Sequence, residues 1–175
     1  MEKEILPIYI YNDPILREKC IDVPKDFDVK DLVQKMRNTL NTTTRGVGLA
    51  APQVGIPYRV FLGPDDIAFI NFEILELKGS KPRDKESCLS MPGISGYVRR
   101  HQKVKIKWFD EDWNEHVKLF KNFDSILIQH ESDHCDGILY IDRMEKNERD
   151  SLEMKLLDFE DNVIPDSVEY KTNIQ

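Results

Sequence analysis

The sequence predicts an α+β fold: mostly antiparallel sheets packed around a central helix that carries an HExxH pattern, with a further helix towards the C-terminus. Three observations predict it. One helical pattern comes early, a run of short strands rich in β-branched and aromatic residues follows, and turn residues punctuate that run. After the strands comes a helical stretch containing His130-Glu131-Ser132-Asp133-His134. Helix, several strands, then helix is an α+β order.

The elements follow in sequence. Residues 1–27 alternate apolar residues with prolines and read as extended, irregular chain. From Asp28 to about Thr42, the apolar residues Val29, Leu32, Val33, Met36 and Leu40 recur at helical spacing, with Asp28 as N-cap. Thr42, Thr43 and Thr44 are poor helix formers, and a Gly-containing loop follows. Tyr58–Leu62 and Ile67–Leu77 read as strands, separated by the turn residues Gly63-Pro64-Asp65. Val98, Val104–Phe109 and His116–Phe120 suggest further strands, with a turn near Glu111–Asn114. Residues 123–136 read as a helix that ends at Gly137 as a C-cap, and a last helical pattern covers about 146–160. No internal repeat or Pro/Gly/Ser linker interrupts the chain, so residues 1–175 read as one domain.

Composition narrows the function. The 175 residues are 40% hydrophobic and 33% charged, an ordinary globular balance. The net charge of -7 argues against a broad nucleic-acid face. Arg99, Arg100, His101 and Lys103 are the densest basic stretch and read as a solvated strand face. No apolar run approaches the ~20 residues of a membrane span. The opening MEKEILPIYIYNDP, with early acidic residues and prolines, is unlike a secretory signal, so the cytoplasm is the expected compartment. Cys20, Cys88 and Cys135 are odd in number and widely spaced, so each reads as a free thiol or a metal ligand.

The HExxH pattern carries the chemistry. Positions i and i+4 share a helical face, so His130 and His134 can bind one metal ion. Glu131, one position round, can reach a metal-bound water as general base. Ile126 lies one turn before His130 on the same stripe, which is expected to be buried and dry. Such a site needs a third protein ligand. Two sources compete: Glu153, in the arrangement of a zinc endopeptidase, and Cys88, in Glu86-Ser87-Cys88-Leu89-Ser90. A non-enzymatic metal protein with a closed fourth position is a further alternative. Cys135 would sit roughly 100° round the helix from His134 and point away from the metal, as a small core residue. Upstream, Gly46-Val47-Gly48-Leu49-Ala50-Ala51-Pro52-Gln53 lacks the lysine and spacing of a phosphate loop. Its small residues suit the close approach of another backbone, and Gln53 could aim its amide at an oxyanion.

Together, GVGLAAPQ at 46–53, ESCLS at 86–90 and QHESDH at 129–134 resemble the peptide deformylase family, whose pattern runs G-x-G-L-A-A-x-Q, E-G-C-L-S, Q-H-E-x-D-H in the same order. DPILR at 13–17 and the terminal helix are also similar, so the resemblance covers about residues 5–160. It implies removal of the N-formyl group from the starting methionine of nascent polypeptides. It makes Cys88, His130 and His134 the metal ligands and Glu131 the general acid/base. The Leu89 amide and the Gln53 side chain become oxyanion donors. Val47 and Gly48 line the substrate cleft, and Ile126 helps form the methionine pocket. The implied cofactor is one divalent ion, natively Fe(II), with Zn(II), Ni(II) or Co(II) able to replace it. The implied partners are formyl-Met polypeptides near the ribosomal exit tunnel, with no membrane and no specific nucleic acid. Arg100 and Asp133 match family positions that form a charge pair. Ser87 departs from the pattern, which has Gly there, and is expected at the cleft rim.

Overall fold

The structure is a computed structural model and describes residues 4–157 and 170–171. Its elements run β1 (Ile8–Tyr9), α1 (Val29–Thr42), β2 (Leu49–Ala50), β3 (Val60–Leu62), β4 (Ala68–Lys78), β5 (Arg83–Cys88), β6 (Met91–Arg99), β7 (Lys103–Phe109), β8 (Glu115–Lys121), α2 (Asn122–Cys135), α3 (Lys146–Leu157) and β9 (Tyr170–Lys171). An antiparallel sheet of order β2-β3-β4-β7-β8 forms one wall, and the antiparallel hairpin β5-β6 forms another. β1 pairs in parallel with β9.

α1 forms where its apolar spacing predicts. Asp28 caps it, its side chain accepting from the Asp31 N–H at 3.1 Å. Val29, Leu32, Val33 and Met36 are buried against Leu49, Val60 and Leu62 of the large sheet. β4 carries a bulge after Ile70, where Asn71 adopts φ +46°. The Asn71 side chain then grips the backbone of Val23, accepting from its N–H at 2.7 Å and donating to its carbonyl at 3.0 Å. This ties the irregular N-terminal segment to the sheet.

α2 lies between the two walls, and every residue from Leu127 to Cys135 is buried. On one side Ile128 and Cys135 meet Phe61, Phe69 and Val104 of the large sheet. On the other, Cys88, Met91, Ile94 and Val98 of the hairpin form a second core with Tyr140, Leu152 and Leu156. The helix is therefore central, and the hairpin side answers much of its polar surface: Glu86 bonds His130, Arg100 bonds Asp133, and the His101 backbone bonds Gln129. Gly137 (φ +71°) stops it: its N–H reaches the His134 carbonyl at 3.1 Å, and the Ile138 N–H reaches Asp133 at 2.9 Å. A Cβ on Gly137 would stand 2.5 Å from the Arg17 carbonyl oxygen.

The structure adds one element and corrects two sequence expectations. Residues Arg83–Cys88 form a strand, β5, although RDKES contains no apolar residue. Only Glu86 and Cys88 turn inward there, and the hairpin partner β6 supplies the pairing that hydrophobic pattern did not announce. Arg100 does not lie on a solvated face: it is 3% exposed, while Arg99 and Lys103 beside it are exposed. Ile126 is only half-buried because it faces a cavity rather than a packed wall. The last helical pattern holds over Lys146–Leu157, and its expected end at 158–160 lies outside the described residues.

Candidate metal centre and cleft

Two elements bring the donors together. α2 presents His130 and His134 from successive turns, and the last residue of β5 presents Cys88. The Cys88 Sγ stands 3.3 Å from His134 Nε2. One ligand atom from each of Cys88, His130 and His134 lies within 4.8 Å of the others, and all three residues are buried. Donors sharing one ion at about 2.0–2.3 Å stand roughly 3.5 Å apart, so the set fits a single metal after small side-chain rotations. A thiolate with two imidazoles suits a borderline-soft divalent ion.

Neighbours fix two of the three donors, His130 and Cys88; among the described residues the Nδ1 of His134 has no hydrogen-bond partner. Glu86 Oε2 lies 2.9 Å from His130 Nδ1, which leaves the opposite ring nitrogen for the donor set. Arg100 holds the same carboxylate with Nε at 2.8 Å and Nη2 at 3.0 Å. Its Nη1 also bonds Asp133, and Asp133 is clasped in turn by Arg143 at 2.8 and 2.7 Å. Two carboxylates and two guanidiniums thus balance one another behind the metal centre, as buried charges require. Burial works against ionisation of Glu86, but hydrogen bonds from His130 and Arg100 outweigh it and bring its pKa down to about 2. For His130 burial opposes the charged form, yet its bonds to Cys88 and Glu86 hold it well above the usual imidazole value. Burial, with the charges of His130 and Arg100, pushes His134 well below that value.

Gln129 secures the helix itself. Its amide donates to the His101 carbonyl at 2.7 Å and accepts from the His101 N–H at 3.1 Å, so the β6–β7 turn is clasped in both directions. Ser125 adds a bond to the same carbonyl at 2.9 Å.

A cavity of about 870 Å³ opens onto the donors. Val47, Gly48, Gln53, Ser87, Cys88, Leu89, Ile126, His130 and Glu131 all line it, while His134 sits deeper, 1% exposed. Gly48 passes so close to α2 that a Cβ there would meet Glu131 Oε1 at 2.6 Å and the Leu62 carbonyl oxygen at 2.9 Å. Gln53 is anchored by the Ala50 N–H at 2.9 Å and turns its amide to Cys88 Sγ at 3.4 Å and Ser90 Oγ at 3.1 Å. Glu131 is 3% exposed, and among the described residues its Oε2 has no hydrogen-bond partner. Burial pushes its pKa up to about 7, the nearby His130 charge pulling the other way. An orphaned carboxylate oxygen beside three converging donors marks where a water would be held.

The chain matches the family model described as polypeptide deformylase over residues 5–150. It is 35% identical to the peptide deformylase of Christiangramia forsetii, an alignment covering 95% of this chain and 94% of that protein. The chain belongs to the peptide deformylase family. Another relative, the peptide deformylase of Karelsulcia muelleri, is 37% identical, with 80% of this chain and 78% of that one covered. In solved structures, the Plasmodium falciparum peptide deformylase in complex with inhibitor superposes with TM-score 0.82 at 36% identity, over 89% of this chain and 99% of that chain. The Thermotoga maritima peptide deformylase gives TM-score 0.77 at 35% identity, over 81% and 99%.

Family membership carries the activity, removal of the formyl group from the starting methionine of nascent polypeptides. The zinc-endopeptidase alternative is not favoured, because Cys88 already completes the donor set. The side chain of Glu153 lies outside the described part of α3. No described helix is long and apolar enough to cross a membrane.

Sequence reasoning missed Glu86, Gln129 and Arg143 as supports of the centre. The Arg100–Asp133 pair that the resemblance implies is present; the pattern also places Arg100 inward, since Ile94, Gly96 and Val98 are the buried positions of β6 and a period of two extends that face to it. Glu86 follows the same logic one strand back, two residues before Cys88.

Proposed function

We propose that this chain deformylates formyl-methionyl peptides with Cys88, His130 and His134 holding one Fe(II), replaceable by Zn(II), Ni(II) or Co(II). When bound, such an ion acts as a Lewis acid that makes water a nucleophile near neutral pH. Glu131 takes the proton of the attacking water and returns it to the leaving amine. Its buried, partnerless oxygen at the cavity wall carries this reading. A carboxyl poised near pH 7 suits a group that must both accept and give a proton. Gln53, already turned towards Cys88, and the Leu89 N–H take up the negative charge of the tetrahedral oxygen.

Val47, Gly48 and Ile126 shape the slot for the formyl-methionine, and Ser87 stands at its rim. The close approach of Gly48 to Glu131 leaves little room at the reacting carbon. That favours a formyl group, which carries only hydrogen there, over acetyl or longer acyl groups. One domain supplies every group. The reaction takes place in the cytoplasm, on chains leaving the ribosome.

The test is formate release from a formyl-Met peptide by protein purified without air, with an acetyl-Met peptide as control. Release from the formyl peptide alone supports the reading. Equal hydrolysis of both, or of neither, overturns it.

A further inference from the structure

The deformylase chemistry leaves Cys20 and Cys135 unused. They lie on the far side of α2 from the metal centre, in the core that faces the large sheet, whereas Cys88 belongs to the hairpin core. The Cys20 N–H donates to the Cys135 carbonyl at 2.8 Å. Backbone bond lengths then hold the two Cα atoms within about 6.7 Å of each other. A disulfide spans Cα separations of about 4.4–6.8 Å. Both side chains are buried in the same core, where the Cys135 thiol is turned to the Val60 carbonyl oxygen at 3.7 Å. The Cα separation that a bridge needs is therefore met without moving the backbone, and a rotation of the Cys135 side chain away from Val60 would close it.

We infer that Cys20 and Cys135 form an oxidisable pair that closes to an intrachain disulfide on exposure to a peroxide. Cys20 is the attacking sulfur. It is 6% exposed against 0% for Cys135, and its neighbour Ile21 is 62% exposed, so a small oxidant reaches it first. The neighbouring Cys135 thiol and the Arg59 guanidinium favour negative charge on it, outweighing burial and the Asp136 and Glu18 carboxylates. The Cys20 thiolate attacks one peroxide oxygen: an S–O bond forms, the O–O bond breaks and hydroxide leaves. The Cys135 sulfur then attacks the sulfenic sulfur. An S–S bond forms, the S–O bond breaks, and the departing hydroxide leaves as water with the Cys135 thiol proton. In sum, two thiols are oxidised and one peroxide is reduced to two waters. The bridge would fasten the last turn of α2, next to His134, to the N-terminal segment.

The experiment treats the Zn(II)-loaded protein, whose ion is redox-inactive, with an equimolar amount of hydrogen peroxide. The sample is then unfolded with chelator, alkylated, weighed intact and mapped by peptide mass. The expected product is about 2 Da lighter before alkylation, takes one alkyl group at Cys88, and yields a peptide pair joined through Cys20 and Cys135. Its Tm should stand about 5–10 °C above that of the reduced protein and return on reduction. Cys135→Ala should leave a sulfenic acid at Cys20 that a cyclic 1,3-diketone traps, and Cys20→Ala should take up no peroxide oxygen at Cys135. Cys135→Ser carries the same test if the alanine variant does not fold. Three alkylated cysteines, a bridge involving Cys88, or stable sulfinic acid at Cys20 in the unsubstituted protein would each overturn the inference.

Discussion

The carboxylate of Glu86 bridges metal ligand and scaffold: one oxygen meets His130 Nδ1 at 2.9 Å and the other meets Arg100 Nε at 2.8 Å. Glu86→Gln keeps an acceptor of similar shape but removes the charge that Arg100 and His130 share. Metal affinity should fall by roughly 10–100-fold, as for other partners of ligating histidines. Stability should also fall, because Arg100 would keep a buried charge with half its neutralisation. Chelator competition and thermal melts read the two effects. Unchanged metal affinity would mean that His130 is oriented by packing alone.

Gly48 is held to glycine by space rather than by backbone angle. An added Cβ meets Glu131 Oε1 at 2.6 Å and, less avoidably, the Leu62 carbonyl oxygen at 2.9 Å. The carbonyl belongs to a sheet strand and cannot swing aside as a side chain does. Gly48→Ala should therefore displace Glu131, cost about 1–3 kcal/mol of stability and lower kcat by about tenfold or more, while the metal content holds. Metal analysis beside steady-state kinetics separates this from loss of the centre.

For Glu131 the expectation divides binding from chemistry. Three other side chains supply the donor atoms, so Glu131→Ala should retain the ion. Turnover should drop by roughly 10²–10⁴-fold, the usual contribution of a general acid or base. A variant that deformylated at near the parent rate would remove Glu131 from the reaction.

The histidine pair was legible in the sequence because its spacing is a consequence of helix geometry, whereas Cys88 competed with Glu153 until the family resemblance assigned it. Four residues make about one turn, so His130 and His134 had to share a face. The helix α1 was legible for the same reason, through Val29, Leu32, Val33 and Met36. What supports the centre was harder to read, since Glu86 and Arg100 carry charges that composition assigns to the surface. Their burial depends on one another and on Asp133, which stands far from Arg100 in the chain and is brought to it only by folding. β5 was missed because its inward positions are a glutamate and a cysteine rather than aliphatic residues.

Away from the cleft, Asp110 organises the turn between β7 and β8. It accepts from the backbone N–H groups of Asp112 and Asn114, each at 2.9 Å, and pairs with His116 at 2.7 Å. Burial opposes its charge more than any single bond favours it, but the bonds from His116, Asn114 and Asp112 together outweigh it and bring its pKa from 3.8 down to about 2. A depressed carboxyl stabilises the fold above its unfolded pKa, and that contribution fades as pH falls from about 4 towards 2. The group is partly exposed, so screening limits the effect to under about 1 kcal/mol. Asp110→Asn should lower Tm by about 2 °C between pH 5 and 7, and the gap should close near pH 2 to 3. A gap that stayed constant with pH would locate the effect in shape rather than charge.

Ser87 tests how much of the cleft depends on glycine at the position where the family pattern has it. Residues alternate sides along β5: Glu86 and Cys88 are buried and Ser87 between them is exposed. It pairs with Ser95 across the hairpin and lines the cavity, facing away from the donors. The register shifts between Ser87 and Cys88, but Ser87 is not among the residues with positive φ. A side chain there meets no backbone strain. A peptide bound along this strand would use the carbonyl and amide of residue 87, which serine and glycine supply alike. Ser87→Gly should therefore leave metal content unchanged and alter turnover of formyl-Met peptides by less than about tenfold, or 1.4 kcal/mol in barrier. Any change should fall on KM, because a rim contact is made equally in the ground and transition states. Kinetics at matched metal loading decide it. A change in kcat well beyond tenfold would place the Ser87 hydroxyl in the reaction itself, and the cleft of this chain would then work differently from one with glycine at that position.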